Sequence, residues 1–105
     1  MAEKIIYNKL VRDKIPEIIA QSGGQAKTRV LNMAEYRVEL ERKLDEEVAE
    51  FHKDQNPQEL ADIMEVVYAL ADAIGCNPEQ LQQIYDQKHT DRGGFTQRIF
   101  LEETL

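Results

Sequence analysis

Glu46-Glu47-Val48-Ala49-Glu50-Phe51-His52-Lys53-Asp54-Gln55-Asn56-Pro57-Gln58-Glu59-Leu60-Ala61-Asp62 decides how this chain folds. Within it, Asn56-Pro57-Gln58-Glu59 is a helix start, with Asn as N-cap, Pro at the first helical position and Glu at the third. Gln55-Asn56 therefore separates two helices. Upstream, Tyr36, Leu40, Leu44, Val48 and Phe51 recur at helical spacing and predict a helix from about Met33 to Asp54. Downstream, Leu60, Ile63, Met64, Val67, Ala71 and Ile74 share one face, which predicts a helix to about Ile74 that ends at Gly75. Two long helices joined by so short a break form an antiparallel hairpin.

Asn77-Pro78-Glu79-Gln80 repeats the start signal and predicts a third long helix to about His89, broken by Asp91-Arg92-Gly93-Gly94. A brief helix is expected after Asp13, with Ile15, Ile18 and Ile19 on one side, and Ser22-Gly23-Gly24 to stop it. Pro16 suits its first turn, where a missing N–H costs no internal bond. Lys4-Ile5-Ile6-Tyr7-Asn8-Lys9-Leu10-Val11 and the run from Gln97 to Leu101 are candidate short strands. The expected fold is mainly α: a helical hairpin plus a further helix, with short irregular or strand-like termini, in one domain over residues 1–105.

A chain of 105 residues buries only about 60–65% of its unfolded surface, so association of subunits is expected from size alone. The net charge of −7 opposes phosphate-backbone binding and argues against a nucleic-acid partner. No run approaches the length of a membrane span and no signal-peptide pattern opens the chain, so a cytoplasmic protein without a membrane partner is expected. The one cysteine, Cys76, reads as a small buried thiol in a reducing compartment.

The acids occupy unusual positions. On a wheel of about 100° per residue, Leu40, Leu44 and Phe51 cluster within roughly 40°, and Glu47 lies inside that cluster. Glu50 stands roughly 60° to one side, on the flank that also carries Lys43. The second hairpin helix has a second apolar arc of Val66, Ala69 and Ala73, and Glu59 and Asp62 fall within it. A helix apolar over more than half its circumference packs on two sides, so these acids point into protein. Measured from the turn, Glu50 and Glu59 share one height, with Glu47 and Asp62 a level below. Glu59 has a plainer role as the return half of the Asn56 capping box, and Glu46-Glu47-x-x-Glu50 has one as a solvated acidic face. Asp62 has neither, being a mid-helix Asp among Ala and Val. Four converging carboxylates require a cation or shifted protonation. Oxygen-only donors select a hard ion, Mg²⁺ or Mn²⁺.

Glu46-Glu47-x-x-Glu50 followed by Glu59-x-x-Asp62 resembles the metal-binding signature of the MazG-like, all-α nucleoside triphosphate pyrophosphohydrolases. Tyr7-Asn8-Lys9-Leu10-Val11-Arg12-Asp13-Lys14-Ile15-Pro16 is similar to the opening of a house-cleaning branch related to phosphoribosyl-ATP pyrophosphohydrolase. Lys88-x-x-x-Arg92-Gly93-Gly94-Phe95 is similar to that branch's C-terminal segment. Eight residues separate Glu50 from Glu59, a shorter hairpin than in MazG proper and one that suits the short branch. The resemblance implies that Glu47, Glu50, Glu59 and Asp62 ligate Mg²⁺. It implies a reaction in which water attacks a nucleotide triphosphate, releasing a monophosphate and pyrophosphate. Glu46, on the flank of Glu50, is a candidate either for general base or for a residue that supports the metal ligands from behind.

Basic residues supply candidate phosphate contacts: Lys9, Arg12 and Lys14 near the N-terminus, Lys88 and Arg92 near the C-terminus. Lys88 lies on the stripe of Leu81, Ile84 and Tyr85, and Arg92 precedes two glycines whose N–H groups can approach an anion. A solvated surface charge is the alternative for each. Lys43 is either a further phosphate contact or an intrahelical partner of Glu39 and Glu47. His52 and His89 lack metal-ligand spacing and read as ordinary surface residues. The expected partners are a small nucleotide substrate and a second copy of the chain, in a homodimer or higher homo-oligomer. Two other readings stand beside this one: phosphoribosyl-ATP pyrophosphohydrolase itself, and a non-catalytic helical adaptor.

Overall fold

The computed structural model describes residues 4–105 and contains four helices: α1 (Ile15–Gln21), α2 (Met33–Asp54), α3 (Pro57–Ala73) and α4 (Pro78–Arg92). No strand occurs among the described residues, and the fold is mainly α, as expected. Both candidate strands are corrected to irregular chain. Lys4–Val11 is interrupted by Asn8 in the left-handed region at φ 46°. Next to Gln97, a turn closes where the Arg98 N–H donates to the Phe95 carbonyl at 3.0 Å, with Arg98 at φ 57°. Neither segment has a neighbouring strand with which to pair its N–H and C=O groups.

Capping sets the helix boundaries. Asn32, Asn56 and Asn77 each accept a hydrogen bond from the backbone N–H three residues on, at 2.9 to 3.0 Å. Between α2 and α3 the chain reverses through Gln55, whose N–H still donates to the Phe51 carbonyl at 2.8 Å while its φ of 52° redirects the chain that follows. The end of α3 is a Schellman turn, in which Gly75 donates to Asp72 at 3.0 Å and Cys76 to Ala71 at 2.8 Å. Gly75 has φ 88°, a conformation that any Cβ would strain. Helix α4 runs to Arg92, one turn beyond the expected His89. Asp91 and Arg92 are compatible with helix, Gln87 holds Asp91 at 3.0 Å, and the chain turns only at Gly93. Cys76 is half-buried, with its thiol 3.8 Å from the Asn77 carbonyl.

Helices α2 and α3 form the principal contact, α4 packs on α3 alone, and α1 packs on no helix. The buried apolar residues are Leu40 on α2 and Val66 and Ala71 on α3. Half-buried Ile63, Ala69, Leu70 and Ala73 complete the α3 face that carries Val66. The small-residue arc of α3 thus packs within the chain. On its other face Leu60, Met64, Val67 and Ile74 are exposed, and only the small Ala71 among them is buried.

The chain as it stands is not a compact globule. Its radius of gyration is 18.3 Å, against about 13 Å for a compact domain of this length. Its surface of 9783 Å² exceeds the roughly 6,100 Å² of a compact monomer of its mass. With so few buried side chains, the α2–α3 seam carries much of the packing within one chain. Leu40→Ala is expected to cost about 2–5 kcal/mol in urea unfolding. Val38→Ala, at an exposed site on the same helix, is expected to change stability by less than about 0.5 kcal/mol. Equal effects of the two substitutions would contradict this assignment of the core.

Candidate metal centre

The acids gather where α2 and α3 meet at the turn. Glu47, Glu59 and Asp62 each offer a carboxylate oxygen, all within 4.8 Å of one another. Glu50, Asp54 and Glu59 do the same. The expected single group of four is thus two sets of three that share Glu59. Asp54 was not among the candidates from sequence, where it marked only the end of a helix. Its signal was its spacing, four residues after Glu50 and directly beside the turn.

Local structure explains why Glu59 is available. Asn56 accepts from the Glu59 N–H at 3.0 Å, yet the Glu59 carboxylate does not return a bond to Asn56. At the equivalent positions of α2 and α4, Glu35 and Gln80 do return it, at 3.5 and 2.8 Å. Half the capping box is open, and the free carboxylate faces the cluster. Partial burial, and then the charges of Asp54, Asp62, Glu50 and Glu47, push the Glu59 carboxyl above its ordinary range. Glu47, with a side chain 12% exposed, lies on the packed side of α2 as its wheel position predicts. Glu50 is exposed.

Cations border the acids. The Arg12 guanidinium donates to Asp62 at 2.7 Å, and Lys9 reaches Glu46 at 3.4 Å. The N-terminal segment is thereby laid across both hairpin helices. Lys43 sits 3.4 Å from Glu46 and 3.3 Å from Glu47, while Glu39 pairs instead with Arg42 at 2.9 Å. Glu46 is therefore flanked by two ammonium groups. Of the remaining basic candidates, Lys14, Lys88 and Arg92 make no ion pair among the described residues. The stripe that carries Lys88 is half-buried only at Leu81, while Ile84 and Tyr85 beside the lysine are exposed. Within one chain neither Lys88 nor Arg92 pairs with any of the acids among the described residues. His52 and His89 are exposed, as expected.

The donor set fits a hard divalent ion: every candidate ligand is a carboxylate oxygen, and the repulsion felt by Glu59 is what a cation would relieve. Because its folded-state pKa is raised, Glu59 favours the fold when protonated and penalises it as pH climbs through that pKa. Glu59→Gln is expected to stabilise the metal-free protein at neutral pH, with the gain shrinking toward the ordinary carboxylate range. Thermal melts of both proteins across pH without divalent ions measure this. Parallel profiles would show that Glu59 bears no such strain.

No family model and no solved structure matches this chain. A protein of Mycolicibacterium smegmatis, described only as uncharacterized, is 55% identical over 42 residues, which are 40% of this chain and 43% of that protein. The match thus spans less than half of either chain, and the printed description carries no activity.

Proposed function

We propose that this chain is a Mg²⁺-dependent nucleoside triphosphate pyrophosphohydrolase, cleaving its substrate to a monophosphate and pyrophosphate. The observation that carries the reading is the paired carboxylate sets sharing Glu59, held at one end of a helical hairpin with cations at their border. Glu47, Glu50, Glu59 and Asp62 are the ion's ligands, and Asp54 joins them on the turn side. When bound, Mg²⁺ or Mn²⁺ supplies charge neutralisation at the phosphates and a more acidic water.

The chain's own residues do the rest. Lys9, Arg12 and Lys43 stand beside the acids and can exchange their carboxylate partners for phosphate oxygens as a substrate arrives. Glu46 is the candidate to accept the proton of the attacking water once Lys9 and Lys43 turn to phosphate. A house-cleaning role, removing non-canonical nucleotides, follows the resemblance of the N-terminal segment and the short hairpin. The lone thiol of Cys76 fits a reducing, cytoplasmic setting.

The functional unit is a homodimer. Supporting this are the extended shape of the single chain and the open apolar face of α3. Two hairpins packed into a four-helix core would set the acids near the subunit boundary, where Lys14, Lys88 and Arg92 of a second copy can complete the nucleotide pocket.

Release of pyrophosphate from a nucleotide panel that includes phosphoribosyl-ATP, with and without Mg²⁺, tests the reading. Metal-dependent turnover is expected, together with a rise in melting temperature at millimolar Mg²⁺. Glu50→Gln and Asp62→Asn are expected to lower turnover at least 100-fold while retaining helicity by circular dichroism. No turnover on any nucleotide and no metal-induced thermal shift would favour the adaptor instead.

A further inference from the structure

Beyond α4 the chain carries an unusual load. Phe95, Ile99, Phe100, Leu101 and Leu105 are between 75% and 117% exposed, so five large apolar side chains in the last eleven residues touch almost nothing. Isolated exposed hydrophobes are ordinary, but a contiguous apolar segment such as Ile99-Phe100-Leu101 marks a contact surface. We infer that residues 95–105 form an exchange arm that packs on the open face of α3 in a second copy of this chain.

The receiving surface is on the same molecule. Leu60, Met64 and Val67 follow one another at four and three residues along α3, and they are 47%, 54% and 39% exposed. The two parts match in kind, an apolar segment against an apolar helical stripe. In a two-fold assembly each chain gives one arm and receives one, which closes the contact. Area supports the assignment. The chain exposes roughly 3,700 Å² more than a compact monomer of its mass. Obligate homodimers bury about 2,000–5,000 Å² in total. Covering both the arm and the α3 face reduces this excess on each chain, whereas covering either one leaves the other in water.

A second copy is favoured over other occupants. Glu102 and Glu103 lie within the arm and the chain carries a net charge of −7, which disfavours an anionic lipid surface. On its own chain the arm leaves from the far end of α4, a helix about 22 Å long that does not touch α2. Gly93, at φ 78°, sets the exit, and the turn from Phe95 to Arg98 follows it. The inference adds to the homodimer of the preceding reading and does not depend on catalysis.

Cysteine trapping tests it. Two chains, both carrying Cys76→Ser, are mixed after subunit exchange and mildly oxidised, one with Met64→Cys and the other with Phe100→Cys. A disulfide between the two different chains is expected, seen by mass spectrometry of peptides, because docking brings the two positions within bonding range. Pairing of Met64→Cys chains with each other, an intrachain bond in the double variant, or a dimer that yields no cross-link would each overturn the arm. A second measurement avoids reliance on cross-linking. Phe100→Asp with Leu101→Asp alters residues that support nothing within the single chain, and is expected to weaken the dimer at least 10-fold by sedimentation while helicity is kept. A dimer of unchanged affinity overturns the arm alone, and a wild-type monomer overturns both the arm and the dimer.

Discussion

Everything at the candidate centre depends on the reversal at Gln55-Asn56. Only two residues lie between the last residue of α2 and the first of α3. Gln55 accepts a left-handed conformation to make the turn, and Asn56 caps the helix that follows. The turn fixes the register of the pair, and the register places Glu47 opposite Asp62 and Glu50 opposite Glu59. Leu40 and Val66, buried on the same helix faces but farther from the turn, hold the same register.

That register sets packing against electrostatics. The face of α3 that meets α2 carries Val66, Ala69 and Ala73, which allow close approach of the helices, and the same face carries Glu59 and Asp62. Close helices withdraw Glu59 from water and bring the carboxylates together, and the result is the raised carboxyl of Glu59. Arg12 and Lys43 offset part of the repulsion at Asp62 and Glu47. None of the ion pairs found reaches Glu59. A group that is crowded by like charge and lacks a cation of its own is a natural ligand for one.

The N-terminal segment ties distant parts of the chain to this centre. Lys9 and Arg12 lie 37 and 50 residues from their partners in sequence, and the segment has no regular structure between residue 4 and the start of α1. Its placement rests on ion pairs at half-exposed side chains, each worth little in isolation. Such contacts exchange partners at small cost, and that suits cations whose proposed role is to receive phosphate.

Much of this was readable from sequence, because capping and periodicity are local. Asn56-Pro57 and Asn77-Pro78 located the starts of α3 and α4, and Gly75 the end of α3, since each acts through bonds to residues a few positions away. The wheel placed Glu47 and Asp62 on the packed faces for the same reason. What sequence left open was decided by contacts between distant residues. Whether Glu59 serves the Asn56 cap or the acid cluster turned on one side-chain orientation, and the cluster has it. Which arc of α3 would stay uncovered turned on how α2 lies across it: the small residues went inside, and Leu60, Met64 and Val67 remained in water. The terminal segments have strand-like composition, but a strand exists only through hydrogen bonds to a neighbour, and one chain supplies none. Helix is written into neighbouring residues, whereas pairing, register and exposure exist only once separate parts of the chain have met.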